Sequence, residues 1–190
     1  MSYTIRIMPV KLQRLRLLYT AHGIFMLASI MLVPLFAVFA TEAGASILVI
    51  GYLGSIYFAT KTIGVLTVRV FSPSTHSAYH ILFLSYIVKG LCWGGLIFSN
   101  TLPIIFIVQA LLGLAEGFQS PAFRTLIAQN IIPGKEMAQF ANWEVVLALT
   151  GIVGTSLGGF IATKFGFDGL FIVMSILAFI AALLSKQVAK

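Results

Sequence analysis

Residues 102–133 read LPIIFIVQALLGLAEGFQSPAFRTLIAQNIIP, and this stretch decides the fold. It is apolar for longer than the roughly 20 residues a helix needs to cross a bilayer, yet Glu116 stands in its middle. A charge at that depth costs several kcal/mol, about 2.5 to 3.5 on insertion scales, so it must face protein or water rather than lipid. At helical spacing Gln109, Gly113, Glu116, Ser120 and Arg124 follow one another at three- and four-residue steps, which stacks them on one face. That face reads as one wall of a polar cavity, and the rest of the chain must supply the other walls.

Working outward, five more segments are long and apolar enough to act as spans. With the first stretch they give 17–40, 45–68, 78–98, 102–123, 142–163 and 169–185, separated by turn signals at Glu42 to Gly44, the SPST run, Asn100 to Pro103, Pro133 to Gly134 and Gly166 to Gly169. The composition agrees: 59 % hydrophobic and 9 % charged residues exclude a water-soluble core. The expectation is an all-α integral membrane protein, a single six-helix transmembrane domain over 1–190. The net charge of +7 would suggest nucleic acid in a soluble domain. Here the basic residues lie between apolar runs, and the positive-inside rule explains them. Arg6, Lys11, Arg14, Arg16, Arg69, Arg124, Lys135, Lys186 and Lys190 fall on one side of a six-span chain, leaving Lys164 near the other. Both termini are therefore expected in the cytoplasm, in the plasma or inner membrane. The basic start resembles a signal peptide, but the run that follows is too long for one.

Several residues carry chemistry. Lys89 and Glu116 lie on successive antiparallel spans at similar depth, about 12 to 15 Å from the inner face by helical rise, so an ion pair is expected. Lys61 stands roughly 11 Å from the inner end of its span, where it either snorkels to the interface or lines the cavity. His22 reads as packed or interfacial, with a proton relay as the alternative. Trp143 falls where indole favours the membrane interface. Gly51, Gly54, Gly151, Gly154 and Gly158 mark close helix contact, the last two at GxxxG spacing. The last span is uniformly apolar and reads as lipid-facing. Cys92 is the only cysteine, so there is no intrachain disulfide and no cysteine-based metal site. No HExxH, CxxC, GxSxG or P-loop occurs, and the carboxylates are not paired at a useful spacing, so no enzyme, cofactor or metal is expected.

From PLFAVFATEAGAS to GFDGLF the order of features resembles the N-terminal six-helix lobe of a major facilitator superfamily transporter. GVLTVRVF keeps Gly64, Leu66 and Arg69 of that family's loop motif, with Val68 in place of its acidic residue and Phe71 in place of its second glycine. Gln109 stands four residues before Gly113 where many members carry arginine. Gly154, Gly158 and Gly159 follow the glycine-rich fifth-span pattern, with Thr155 replacing proline. The resemblance implies that spans one and four line a central path, two and five meet an opposite lobe, and three and six lie outside. Gln109, Glu116, Ser120 and His22 would then be path residues, Gly64, Arg69 and Arg124 a cytoplasmic gate-like group, and the five glycines above the lobe interface. Such transporters have two lobes with substrate between them, and this chain has one. Its expected partners are the lipid bilayer, a small solute and a second six-helix lobe, either another copy or a separate chain. Transport by alternating access is the leading expectation, with ANWEVVLALTGIVGTSLGG similar to export-type permeases. A non-transporting scaffold or a truncated lobe is the rival. Lys61, Lys89 and His22 lean toward an anionic or amphipathic solute.

Overall fold

In the computed structural model, residues 2–98 and 101–188 are described, with the side chains of 2–9 and 75 left out; Asn100, the Arg6 side chain and Lys190 lie outside it. The order is α1 (Ser2–Leu32), a 3₁₀ turn (Val33–Leu35), α2 (Phe36–Glu42), α3 (Ile47–Phe71), α4 (Thr75–Phe98), α5 (Leu102–Asn130) and α6 (Glu136–Val188). Among the described residues there is no strand. Five helical stretches are long and apolar enough to cross a membrane, the first running continuously through the 3₁₀ turn as Val10–Glu42.

Local chemistry explains the breaks. Pro34 cannot donate to the helical ladder, and the chain tightens into the 3₁₀ turn around it before resuming as α2. Ser46 caps α3, its hydroxyl accepting from Val49 N, and Ser72 ends that helix in the left-handed region with its N–H on Val68 O. Pro121 lies inside α5 without ending it, so α5 runs to Asn130 rather than stopping at 123. The 131–135 turn is tied down by Gln139: its Oε1 accepts from Ile132 N at 2.8 Å and its carbonyl accepts from the Tyr19 hydroxyl at 2.7 Å.

The fifth and sixth expected spans both fall within Glu136–Val188, as two helices that meet at a break. At Gly166 the backbone leaves the helix, with φ 69° and ψ −177°, a region open essentially to glycine alone. Contacts on either side give the directions. Tyr19, Leu27 and Met31 of α1 meet Gln139, Gly154 and Gly158 in the same order, so the arm before Gly166 runs parallel to α1. His22 and Phe25 meet Tyr86 and Trp93, so α4 also runs parallel to α1. Phe83 and Gly90 meet Lys186 and Ser175, so the arm after Gly166 runs antiparallel to α4. The chain therefore reverses at Gly166.

The core forms where these elements meet. Leu18, Phe25, Phe39, Tyr86, Leu126, Phe171 and Met174 are fully buried. The last arm is not simply lipid-facing. Leu170, Phe171, Met174, Ala178 and Ala181 bury one face, while Ile172, Ile176, Ile180 and Leu183 expose the other. Cys92 is buried and packs in the same core.

Candidate functional site

Three helices bring three charged side chains together. Lys89 of α4 is 4 % exposed, and its ammonium donates to Glu116 Oε2 of α5. Lys61 of α3 stands 3.8 Å from Glu116 Oε1 and is one-third exposed. Lys89 also lies over the Phe25 ring of α1, 4.6 Å from its centroid. One carboxylate thus faces two ammonium groups, and the cluster carries one surplus positive charge.

Glycines make that meeting geometrically possible. Gly113 and Gly117 of α5 press against the α3 backbone at Tyr57 and Lys61, and Gly64 of α3 sits against Leu114 and Gly117. A Cβ built on Gly64 would lie 2.8 Å from the Leu114 carbonyl oxygen. No side chain fits at such contacts, so the helices approach closely enough for Lys61 to reach Glu116.

Beside the cluster opens a cavity of about 320 Å³, lined by Ser29, Leu32, Val33 and Phe36 of the first span, Gly54, Tyr57 and Phe58 of α3, Lys89 and Trp93 of α4, and Gln109 and Leu112 of α5. Its walls are mostly aromatic and aliphatic; Lys89 is its charged liner and Gln109 its amide. A second, apolar groove of about 480 Å³ lies between α3, α4 and α5 toward the 72–74 turn. It holds no charged group.

Other sequence-derived residues fall elsewhere. His22 lies in an aromatic cluster, 7 % exposed, its Nδ1 paired with the Tyr86 hydroxyl at 2.7 Å and its ring 3.7 Å from the Phe123 centroid. It is a core residue and does not line the cavity, because its polar atom is already used inside the bundle. Trp143 joins the same cluster, with centroids 4.9 Å from Phe123 and 5.1 Å from His22. The polar stripe of α5 divides: Gln109 lines the cavity, Gly113 is consumed by the α3 contact, Glu116 joins the charge cluster, and Ser120 and exposed Arg124 line no part of the cavity. Gly64 serves packing, and Arg69 is exposed.

The glycine group also divides. Gly154 and Gly158 turn inward, and a Cβ on Gly158 would collide with the Met31 backbone of α1; these two are corrected from lobe interface to contacts within the lobe. Gly51, Gly54 and Gly151 face open space.

Sequence reasoning missed the aromatic lining and the three-way charge cluster. The signal was present: Gly54, Phe58 and Lys61 recur at four and three residues, with Tyr57 four before Lys61, which places them on one face of α3. Gln119, 1 % exposed with Oε1 unpartnered, carried no comparable signal. Among the described residues no group of three or more metal-ligating side chains gathers.

Long apolar helices with a cavity beside a buried charge cluster are the features of an integral membrane protein. Residues 18–186 match the sequence profile of the Major Facilitator Superfamily. The chain belongs to that superfamily and is an integral membrane protein. It is also similar to a protein described as an uncharacterized MFS-type transporter, YitZ of Bacillus subtilis strain 168, at 26 % identity over 166 residues, covering 84 % of this chain and 97 % of that protein.

Proposed function

We propose that the chain is one lobe of a transporter that moves a small solute by alternating access, completed by a second lobe. Six crossings with both termini cytoplasmic are the topology of this reading: the reversal at Gly166 supplies the sixth, and the basic residues at the 72–74 and 131–135 ends favour that orientation. The observation that carries the proposal is the cavity beside the Lys61–Glu116–Lys89 cluster, because charge held at the depth of a span is costly and marks a path. Gln109 and Glu116 are its path residues. A cavity on one lobe needs a facing wall, and in this class the facing wall is the other lobe. The similar uncharacterized MFS-type transporter of Bacillus subtilis is itself covered almost completely by an alignment of one-lobe length. We favour a second copy over a separate chain, and export over import on the sequence of the fifth span.

Reconstitution tests this reading. Liposomes carrying the protein, loaded with a small-molecule extract of cells, should exchange at least one solute faster than empty liposomes, measured by mass spectrometry of the external medium. No solute exchanged under either gradient direction would favour a scaffold.

A further inference from the structure

Resting on the transport reading above, we infer that the cavity takes an amphipathic organic anion, an aromatic or aliphatic body with one carboxylate-like group, and that Lys61 is the residue that receives the charge. Glu116 is the one carboxylate in the cluster, and it is shared by two lysines. Lys89 holds it in direct hydrogen-bonded contact and is almost fully buried. Lys61 is 3.8 Å away and one-third exposed, a loose partner whose ammonium retains free donors. Among the cavity-lining residues of the four spans none is acidic, and Lys89 is the one that is charged. The surplus charge is therefore positive, with nothing in the lining to neutralise it.

Position comes next. Lys61 lies on the same face of α3 as Gly54, Tyr57 and Phe58, one turn beyond Tyr57 and nearer the 72–74 turn. Lys89 and Glu116 lie toward that same end of α4 and α5 relative to Trp93 and Leu112. Of the cluster Lys89 lines the cavity itself, with Glu116 and the part-exposed Lys61 adjoining it toward the 72–74 end, and Phe36, Tyr57, Phe58 and Trp93 are the aromatic walls. A ligand that is apolar along its body and anionic at one end matches both surfaces. A cation would meet the surplus charge, and a fully polar solute would lose water to aromatic walls without partners. His22 takes no part, being paired with Tyr86 in the core.

The test is equilibrium dialysis of the chain in nanodiscs against two probes of equal shape and opposite charge, 2-naphthoate and 2-naphthylmethylammonium, with empty nanodiscs subtracting bilayer partition. Saturable binding of 2-naphthoate alone is expected. Lys61→Gln should weaken it about tenfold, the scale of one charge-assisted hydrogen bond, and Lys61→Arg should restore most of it. Gly54→Leu should abolish binding by filling the cavity, and because a Cβ there meets open space the fold should persist, checked by an unchanged melting temperature. Equal binding of the ammonium probe, no saturable binding of 2-naphthoate, or unchanged affinity in Lys61→Gln would overturn the inference. Since binding is read without flux, a chain that binds as described yet exchanges no solute would sink transport and leave the binding site standing.

Discussion

At the scale of single residues, the Lys89–Glu116 contact has an asymmetric energetics. Lys89 is buried and its ammonium has one carboxylate partner, whereas Lys61 reaches solvent. Glu116→Gln should therefore destabilise the lobe by about 3 to 5 kcal/mol, because the remaining buried cation is unpaired. Lys89→Met combined with Glu116→Gln should recover most of that loss, since removing both charges removes the desolvation cost as well. Lys61→Met should cost about 1 kcal/mol or less, as half-exposed pairs do. Denaturant unfolding of the three variants in mixed micelles checks the order, and a double variant no more stable than Glu116→Gln would contradict it. A second residue prediction concerns His22. Tyr86→Phe leaves its buried Nδ1 without a partner and should cost about 1 to 3 kcal/mol, read from the same unfolding curves.

At the scale of elements, the glycines separate into contacts and open faces, and neighbouring positions give opposite outcomes. Gly158→Ala drives a methyl into the α1 backbone at Met31, whereas Gly159→Ala meets nothing within 4 Å. The first should cost about 1 to 3 kcal/mol; the second should be neutral or raise stability by about 0.5 to 1 kcal/mol through helix propensity. Melting temperatures in one detergent compare them, and equal melting temperatures would refute the packing assignment. The same division explains how much was legible in the sequence. Hydropathy pointed to long apolar helices, of which five stretches are long enough to cross a membrane, because lipid imposes a length and a composition, and the meeting of residues 89 and 116 followed from helical rise. Which face of a glycine-rich helix turns inward did not follow. Gly151, Gly154 and Gly158 sit at three- and four-residue spacing on one broad face, and only the position of α1 decides that the last two are covered and the first is not. The packed reading of His22 holds, but its partners were not legible: Tyr86, Phe123 and Trp143 come from three different helices, and no local pattern joins them. The cavity's aromatic lining is likewise drawn from three spans, one or two rings at a time.

At the scale of the whole molecule, α3 is the least covered span: 11 % of its most apolar window is buried, against 39 % or more in the others. Its exposed face carries Gly51 and Gly54, and the cavity opens beside it. The first arm of α6 adds an exposed apolar face, with Val145, Leu149, Ile152 and Val153 around the open Gly151. Small residues on open faces allow a second set of helices to approach closely where apolar burial gives no driving force in lipid. Two copies with the same topology can meet about an axis along the membrane normal, so each face of the pair is used by both partners. In a Cys92→Ala background, Gly51→Cys and Gly151→Cys introduced together should therefore crosslink between chains in nanodiscs, doubling the mass on denaturing gels. Gly158→Cys offers a control within the same helix: it is turned against α1, and its thiol should fail to crosslink between chains. Crosslinking from the open positions with none from residue 158 would place the second lobe against α3 and the first arm of α6. A monomer at every concentration, with no crosslink from 51 and 151, would rule out the second copy and leave a separately encoded lobe as the cover for this cavity.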